Sequence, residues 1–191
     1  MDRQLSAYLN GREPQVATDI DVITAAVTVP LLEIDGEDHV LFTVRSQTLR
    51  RQPGEISFPG GHCESTDKTG ADAAIRECSE ELGIDTDQIE LLGSLDCLVS
   101  AIGVKLQAVV VRLHTDEFTP NADEVGEIFT VPLAYLLIME PTVGHLDIGT
   151  KPLRDFPFHL LEGYQIDWKI RQNYSVYFYP YKQYTIWGLT G

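Results

Sequence analysis

The sequence predicts a single α+β domain. The prediction rests on β-branched apolar runs separated by glycine turns, one stretch of helical periodicity with an acidic face, and the absence of any linker, repeat or low-complexity tract across 191 residues. At this length and 43% hydrophobic content, one sizeable core can be buried. The expected layout is one domain over 1–191, with an N-terminal extension at 1–21, a loop-helix at 57–84 and a C-terminal extension at 141–191.

In chain order, residues 4–10 are expected to form a short helix. The run from Val22 to Leu32 reads as a strand, with Pro30 marking an edge or bulge. Asp35-Gly36 forms a turn, and His39–Arg45 returns as the paired strand. After the turn at Pro59-Gly60-Gly61 a helix is expected from about Ala71 to Leu82, capped by Gly83. Gln88–Leu98 and Val104–Leu113 read as a second strand pair, turning at Ser100–Gly103. An acidic loop, Asn121–Glu127, leads to a strand at Ile128–Val131 and a helix in PLAYLLIM. The aromatic-rich tail is expected to add two strands, YQIDWKI and YSVYFYP, with a turn between them. Its aromatics are read as core or as a subunit contact, which leaves a homodimer open, or as a surface that stacks an adenine ring.

The helix carries the chemistry. Ala74, Ile75, Cys78 and Leu82 share an apolar sector, while Glu77, Glu80 and Glu81 crowd another, Glu77 and Glu81 standing about 40° apart around the axis. Like charges at i,i+4 destabilise a helix by roughly 0.2–0.5 kcal/mol per pair. A divalent cation reverses that sign, and carboxylate oxygens are hard ligands suited to Mg²⁺ or Mn²⁺. The simpler reading is a solvated acidic face, with Asp72 or Glu80 paired to Arg76. Upstream, Arg45, Arg50 and Arg51 form a local positive patch in a chain with only 14 basic residues.

Composition excludes several classes. A net charge of −15 argues against nucleic acid as a partner, because phosphate binding requires a basic surface. No run approaches 18 uncharged apolar residues, so no membrane span is expected, and the N-terminus lacks a secretory apolar segment. Three cysteines without CxxC spacing fit a reducing cytoplasm.

Gly61, followed by Arg76-Glu77, Glu80-Glu81 and Gly83-Ile84, resembles the signature of the Nudix hydrolase family. Two departures stand out: Asp67 occupies the place of the first glutamate, and eight residues rather than seven separate it from Arg76. Arg45-Ser46, Leu49, Gly54, Phe58 and Pro59-Gly60-Gly61 are similar to an additional signature of the family's coenzyme A diphosphatase branch. The resemblance implies a Nudix-like α/β/α sandwich with a mixed curved sheet, and metal-dependent hydrolysis of coenzyme A or its thioesters to adenosine 3′,5′-bisphosphate and a 4′-phosphopantetheine product. It implies Glu77, Glu81, Glu80 and the Gly61 carbonyl as metal ligands, Arg76 as an orienting residue, and Glu124 as base or further ligand, with Glu127 and Asp123 behind it. Arg45, Ser46, Arg50, Arg51 and Gly60 are then expected at the substrate. The alternatives are a Nudix enzyme for ADP-ribose, a dinucleoside polyphosphate or a nucleoside triphosphate, a noncatalytic nucleotide-sensing module, and an acidic metal-buffering scaffold. Because the chain's charge repels a diphosphate, bound cations and local arginines must overturn the global field at the site.

Overall fold

The computed structural model describes residues 23–100, 103–161, 163–164 and 166–191. The helix expected at 4–10 lies outside them. Strands β1 (Ile23–Ile34) and β2 (Glu37–Arg45) form the expected hairpin, with both Asp35 and Gly36 at positive φ, as a tight Asp-Gly turn requires. The chain continues through β3 (Ile56–Ser57), β4 (Gly60–His62) and helix α1 (Gly70–Leu82). Next come β5 (Ile89–Ser94), β6 (Leu98–Val99), β7 (Val104–Leu113), β8 (Val125–Pro132) and the short helix α2 (Leu133–Ile138). Strands β9 (Thr142–Thr150), β10 (Lys169–Tyr181) and β11 (Tyr184–Trp187) end it.

The main sheet is mixed and built around β1. One side of β1 runs parallel to β7 from Ile23↔Val104 to Leu31↔Arg112. Its other side is shared: Val27 pairs with Gly60 of β4, and Leu31 pairs with Val40 of β2. Pro30 therefore lies on a central strand whose ladders show no register shift there, so neither expected alternative, edge or bulge, holds. It falls in the gap between the two antiparallel partners, where a residue without an N–H is accommodated. β2 in turn pairs with β8 from His39↔Pro132 to Arg45↔Val125, and this pairing holds the acidic loop before β8 at the exit of β2.

Two cores lie on opposite faces. On one, Ala73, Ala74, Cys78 and Leu82 of α1 pack on Ala26, Leu32, Leu41, Val109 and Val111. The expected apolar sector is therefore the buried one, although Ile75 only flanks it. On the other face Val40, Phe42, Phe129 and Val131 pack with Ile186 and with aromatic neighbours that include Phe58, Tyr179 and Tyr184. The alternation of Val40, Leu41 and Phe42 sends β2 side chains to both cores. The second outer layer is thus made by α2 and the C-terminal strands more than by helix.

Two strand expectations need correction. Gln88–Leu98 is not one strand but β5 and β6, with a register shift at Leu91/Gly93. The tail does not turn between YQIDWKI and YSVYFYP. Instead β10 runs straight through Arg171-Gln172-Asn173, which carries no Gly or Pro, and absorbs the irregularity as a shift between Ile170 and Gln172. Its partners are β11 and β9, and β9 was not foreseen.

Gly83 ends α1 in the left-handed conformation, with φ 65° and its N–H on the Ser79 carbonyl at 2.9 Å. A Cβ there would meet the Thr119 carbonyl oxygen at 2.0 Å. Gly83→Ala is expected to lower stability by about 1–3 kcal/mol, read as a reduced urea midpoint at unchanged m-value.

Candidate active site

The site begins with close backbone packing. The Thr28 N–H donates to the Pro59 carbonyl at 2.8 Å, which seats the Pro59-Gly60-Gly61 turn against β1. A Cβ on Gly60 would lie 2.4 Å from the Ala26 carbonyl oxygen, so only glycine permits this approach. At Gly61 a Cβ would meet the Glu77 carboxylate at 2.5–2.7 Å. The Glu77 side chain therefore rests directly on the Gly61 backbone.

α1 is anchored at both ends. At its start, the Thr69 hydroxyl accepts from the Asp72 N–H and the Asp72 carboxylate accepts from the Thr69 N–H, a reciprocal capping box. Asp72 is thereby used up, and does not pair with Arg76. At its end, the carbonyls of Glu81 and Leu82 accept N–H groups from Asn121 and Thr119, both at 3.0 Å, and the Gly83 carbonyl accepts the Thr119 hydroxyl at 2.8 Å. Carbonyls that a helix terminus leaves unpaired are thus satisfied by the loop that carries Glu124.

Arg76 is the centre of an ion-pair network. Its Nε and Nη2 hold the two Asp67 carboxylate oxygens at 3.2 Å each, Nη1 reaches Glu77 at 2.9 Å and Glu80 at 3.2 Å, and Nη2 also meets the His62 carbonyl at 3.2 Å. The fork geometry that arginine provides is fully used. Asp67, the residue that departs from the family signature, is the bidentate partner, and this bond chiefly holds its carboxyl below the usual carboxylate range. Its second oxygen also accepts the Glu64 N–H at 2.8 Å, which closes the loop on itself.

The three helix glutamates are unequal. Glu80 is exposed, Glu77 is largely covered, and Glu81 is buried at 6% exposure. Burial pushes the Glu77 carboxyl up against the pull of Arg76. Burial, reinforced by the nearby Glu124 charge, pushes Glu81 up to about 8, although Arg45 and the Gly60 N–H favour its charged form. Glu77, Glu81 and Glu124 thus share one electrostatic neighbourhood in which negative charge exceeds positive.

On the opposite rim, Ser46 is buried. Its N–H donates to the Glu124 carbonyl at 2.8 Å, and its hydroxyl is engaged with Thr48 at 2.9 Å. The Nε of Arg45 is enclosed without a hydrogen-bond partner among the described residues. Arg50 and Arg51 are exposed on the adjoining loop, and the Arg51 carbonyl lies 3.5 Å from an Arg45 Nη.

Among the described residues no three His, Cys, Asp or Glu side chains converge as a ready-made ligand set. Arg76 holds Glu77 and Glu80, whereas among the described residues Glu81 and Glu124 have no direct ion-pair partner. The donor set nevertheless fits a hard divalent cation in chemistry: crowded carboxylate oxygens, one of them buried at a charge cost that a cation would relieve. Sequence reading missed the Thr119–Asn121 clasp, whose only sequence trace is polar composition. It also missed Lys68 and Lys105, which line a cavity of about 230 Å³ with Cys63, Asp67 and Gln107 beside the N-terminus of α1. Glu127 takes no place beside Glu81; its carboxylate accepts the Tyr184 hydroxyl, which belongs to the C-terminal strands. No helix of the described residues is long and apolar enough to cross a membrane.

Comparison with known proteins identifies the family. A model of the NUDIX domain matches residues 23–146. The chain is 41% identical over 138 residues to the peroxisomal coenzyme A diphosphatase NUDT7 of Mus musculus, covering 72% of this chain and 58% of that protein. It is 39% identical over 118 residues to the mitochondrial coenzyme A diphosphatase NUDT8 of Homo sapiens, covering 60% of this chain and 50% of that one. It is 33% identical over 168 residues to an uncharacterized Nudix hydrolase NudL of Pectobacterium atrosepticum, covering 87% and 76%. The matched region thus spans only 58% and 50% of the length of the two mammalian relatives. A crystal structure of a Nudix hydrolase from M. Smegmatis superposes with a TM-score of 0.50 at 20% identity, covering 60% of this chain and 73% of that chain, which supports the fold alone. From the first residue of β1 to the middle of β9, the chain belongs to the Nudix family.

Proposed function

We propose that this protein is a divalent-cation-dependent pyrophosphohydrolase whose substrate is coenzyme A or one of its thioesters. The observation that carries the reaction class is the buried Glu81 carboxylate, set beside Glu77 and Glu124 with Arg45 as its nearby positive charge. The substrate reading rests on the Arg45-to-Gly61 stretch and on the two relatives described as coenzyme A diphosphatases.

In this reading Glu77, Glu81, Glu80 and the Gly61 carbonyl hold Mg²⁺ or Mn²⁺. Held there, such an ion would supply Lewis-acid chemistry and lower the pKa of a bound water. Arg76 fixes Glu77 and Glu80 and does not touch substrate. Arg45, Arg50 and Arg51 form the positive rim that receives the phosphate oxygens. Glu124, on a loop pinned by Ser46 and Asn121, accepts a proton from the attacking water. The water oxygen bonds to phosphorus as the P–O–P anhydride bond breaks, giving adenosine 3′,5′-bisphosphate and a 4′-phosphopantetheine product. The three free thiols favour a reducing compartment such as the cytoplasm.

Incubation with coenzyme A, ADP-ribose and diadenosine tetraphosphate, with and without Mn²⁺, tests the assignment by product mass. Release of adenosine 3′,5′-bisphosphate only with the ion is expected. Cleavage of a competitor in preference to coenzyme A would move the substrate elsewhere in the family, and cation binding without hydrolysis would leave a sensing or buffering module.

Glu81→Gln is expected to lower turnover by about 10²–10³-fold or more, as loss of a principal charge-bearing group does. The same substitution changes the pH response of the ion-free protein. Folded Glu81 keeps its proton to about pH 8, whereas the unfolded chain releases it near 4.5, so wild-type stability falls as pH rises through that window. The thermal midpoint of Glu81→Gln should stay flatter over the same range, and saturating Mn²⁺ should abolish the wild-type decline.

Gly61→Ala forces the Glu77 carboxylate off the turn. We expect a loss of about 10–100-fold in kcat with a nearly unchanged melting temperature, together with weaker Mn²⁺ binding by titration calorimetry.

A further inference from the structure

The C-terminal sheet runs β11-β10-β9, and among the described residues β9 pairs with β10 alone. Among the described residues its other edge is therefore unpaired along nine residues, TVGHLDIGT. Edge strands of this length are ordinarily blunted by lysine, proline or a kink. β9 has no lysine or proline, and the register shift in its ladder falls at its far end, opposite Gly149 and Ile148. Leu146, at its centre, is 56% exposed, and Val143 is 44% exposed.

The charge distribution says what kind of partner fits. Residues 142–191 carry five of the chain's 14 basic residues and only four of its 29 acidic ones. The segment containing β9 is thus close to neutral in a chain of charge −15, so pairing through it brings together less like charge than pairing through the acidic remainder of the chain. The order of side chains along the strand is also self-complementary. If two β9 strands pair antiparallel with Leu146 opposite its own copy, His145 stands opposite the partner's Asp147, and Asp147 opposite the partner's His145. Thr142 then faces the partner's Thr150, and Val143 faces the partner's Gly149. A register displaced from this one loses both His–Asp pairs.

We infer that β9 is where a second copy of this chain docks, edge to edge and antiparallel, about a two-fold axis through Leu146. The product is an isologous dimer with a continuous six-stranded sheet. Backbone bonds supply the attraction, and the paired His145 and Asp147 set the register. The acidic site lies on the other sheet, so dimerisation leaves it open.

Sedimentation equilibrium of the full chain over about 1–100 µM tests this directly, and a dimer is expected within that range. His145→Glu places like charges opposite one another twice, and is expected to weaken the dimer about tenfold or more. Adding Asp147→Lys to His145→Glu restores opposite charges in the same register, and should return the dissociation constant to within about threefold of wild type. Circular dichroism and hydrolysis of coenzyme A serve as controls, since neither residue touches the site. A wild-type monomer across the range, an undisturbed dimer in His145→Glu, or a double variant no tighter than the single one would each overturn the assignment.

Discussion

The arrangement depends on one guanidinium. Arg76 joins the end of β4 through the His62 carbonyl, the following loop through Asp67, and the helix strip through Glu77 and Glu80. Without a cation at that point, three acidic side chains and a carbonyl oxygen would face one another across a loop that has little apolar contact of its own. Asp67 shows that what matters is a carboxylate in reach of the fork, whichever residue supplies it. The ion pairs also bring loop and helix together at the Gly61 backbone, where Glu77 is already in contact.

A second constraint couples the helix to a distant part of the chain. The last carbonyls of α1 need donors, and Thr119 and Asn121 provide them. The same clasp delivers Glu124 to the neighbourhood of Glu81, while Ser46 pins it from the other side. Secondary-structure satisfaction and placement of the Glu124 carboxylate are thus achieved by the same hydrogen bonds. Glu81 pays for this proximity with a desolvated, repelled charge, which is the condition under which a bound cation stabilises most.

Much of this was legible in the sequence because it is local. The Asp35-Gly36 hairpin follows from turn chemistry, and the apolar spacing from Ala74 to Leu82 gives both the helix and its buried face. The inequality of Glu77, Glu80 and Glu81 was not legible, since a helical wheel gives angles but not which side the 119–124 loop will cover. Pro30 misled because it was judged on one strand alone, whereas its tolerance comes from a gap between two other strands. β9 was missed because Gly144, His145, Asp147 and Gly149 are poor strand formers, and long-range pairing with β10 overrides them. Likewise Arg171-Gln172-Asn173 looks like a turn locally and becomes strand because β9 pairs along it on one edge.

The acidity of the chain, finally, is unevenly distributed, and this unevenness bears on how a polyphosphate could enter the site. Residues 1–141 hold 25 of the 29 acidic side chains, and the site lies within that part. Of the two arginines closest to the helix carboxylates, Arg76 has its nitrogens committed to Asp67, Glu77, Glu80 and His62. Arg45 is the other, with an enclosed Nε that has no partner among the described residues. An incoming diphosphate therefore finds Arg45 with the exposed Arg50 and Arg51 on one rim, and a ring of carboxylates that repel it. Since the guanidinium nearest Glu81 cannot by itself offset Glu77, Glu81 and Glu124 together, in the proposed reading divalent cations supply the remaining positive charge.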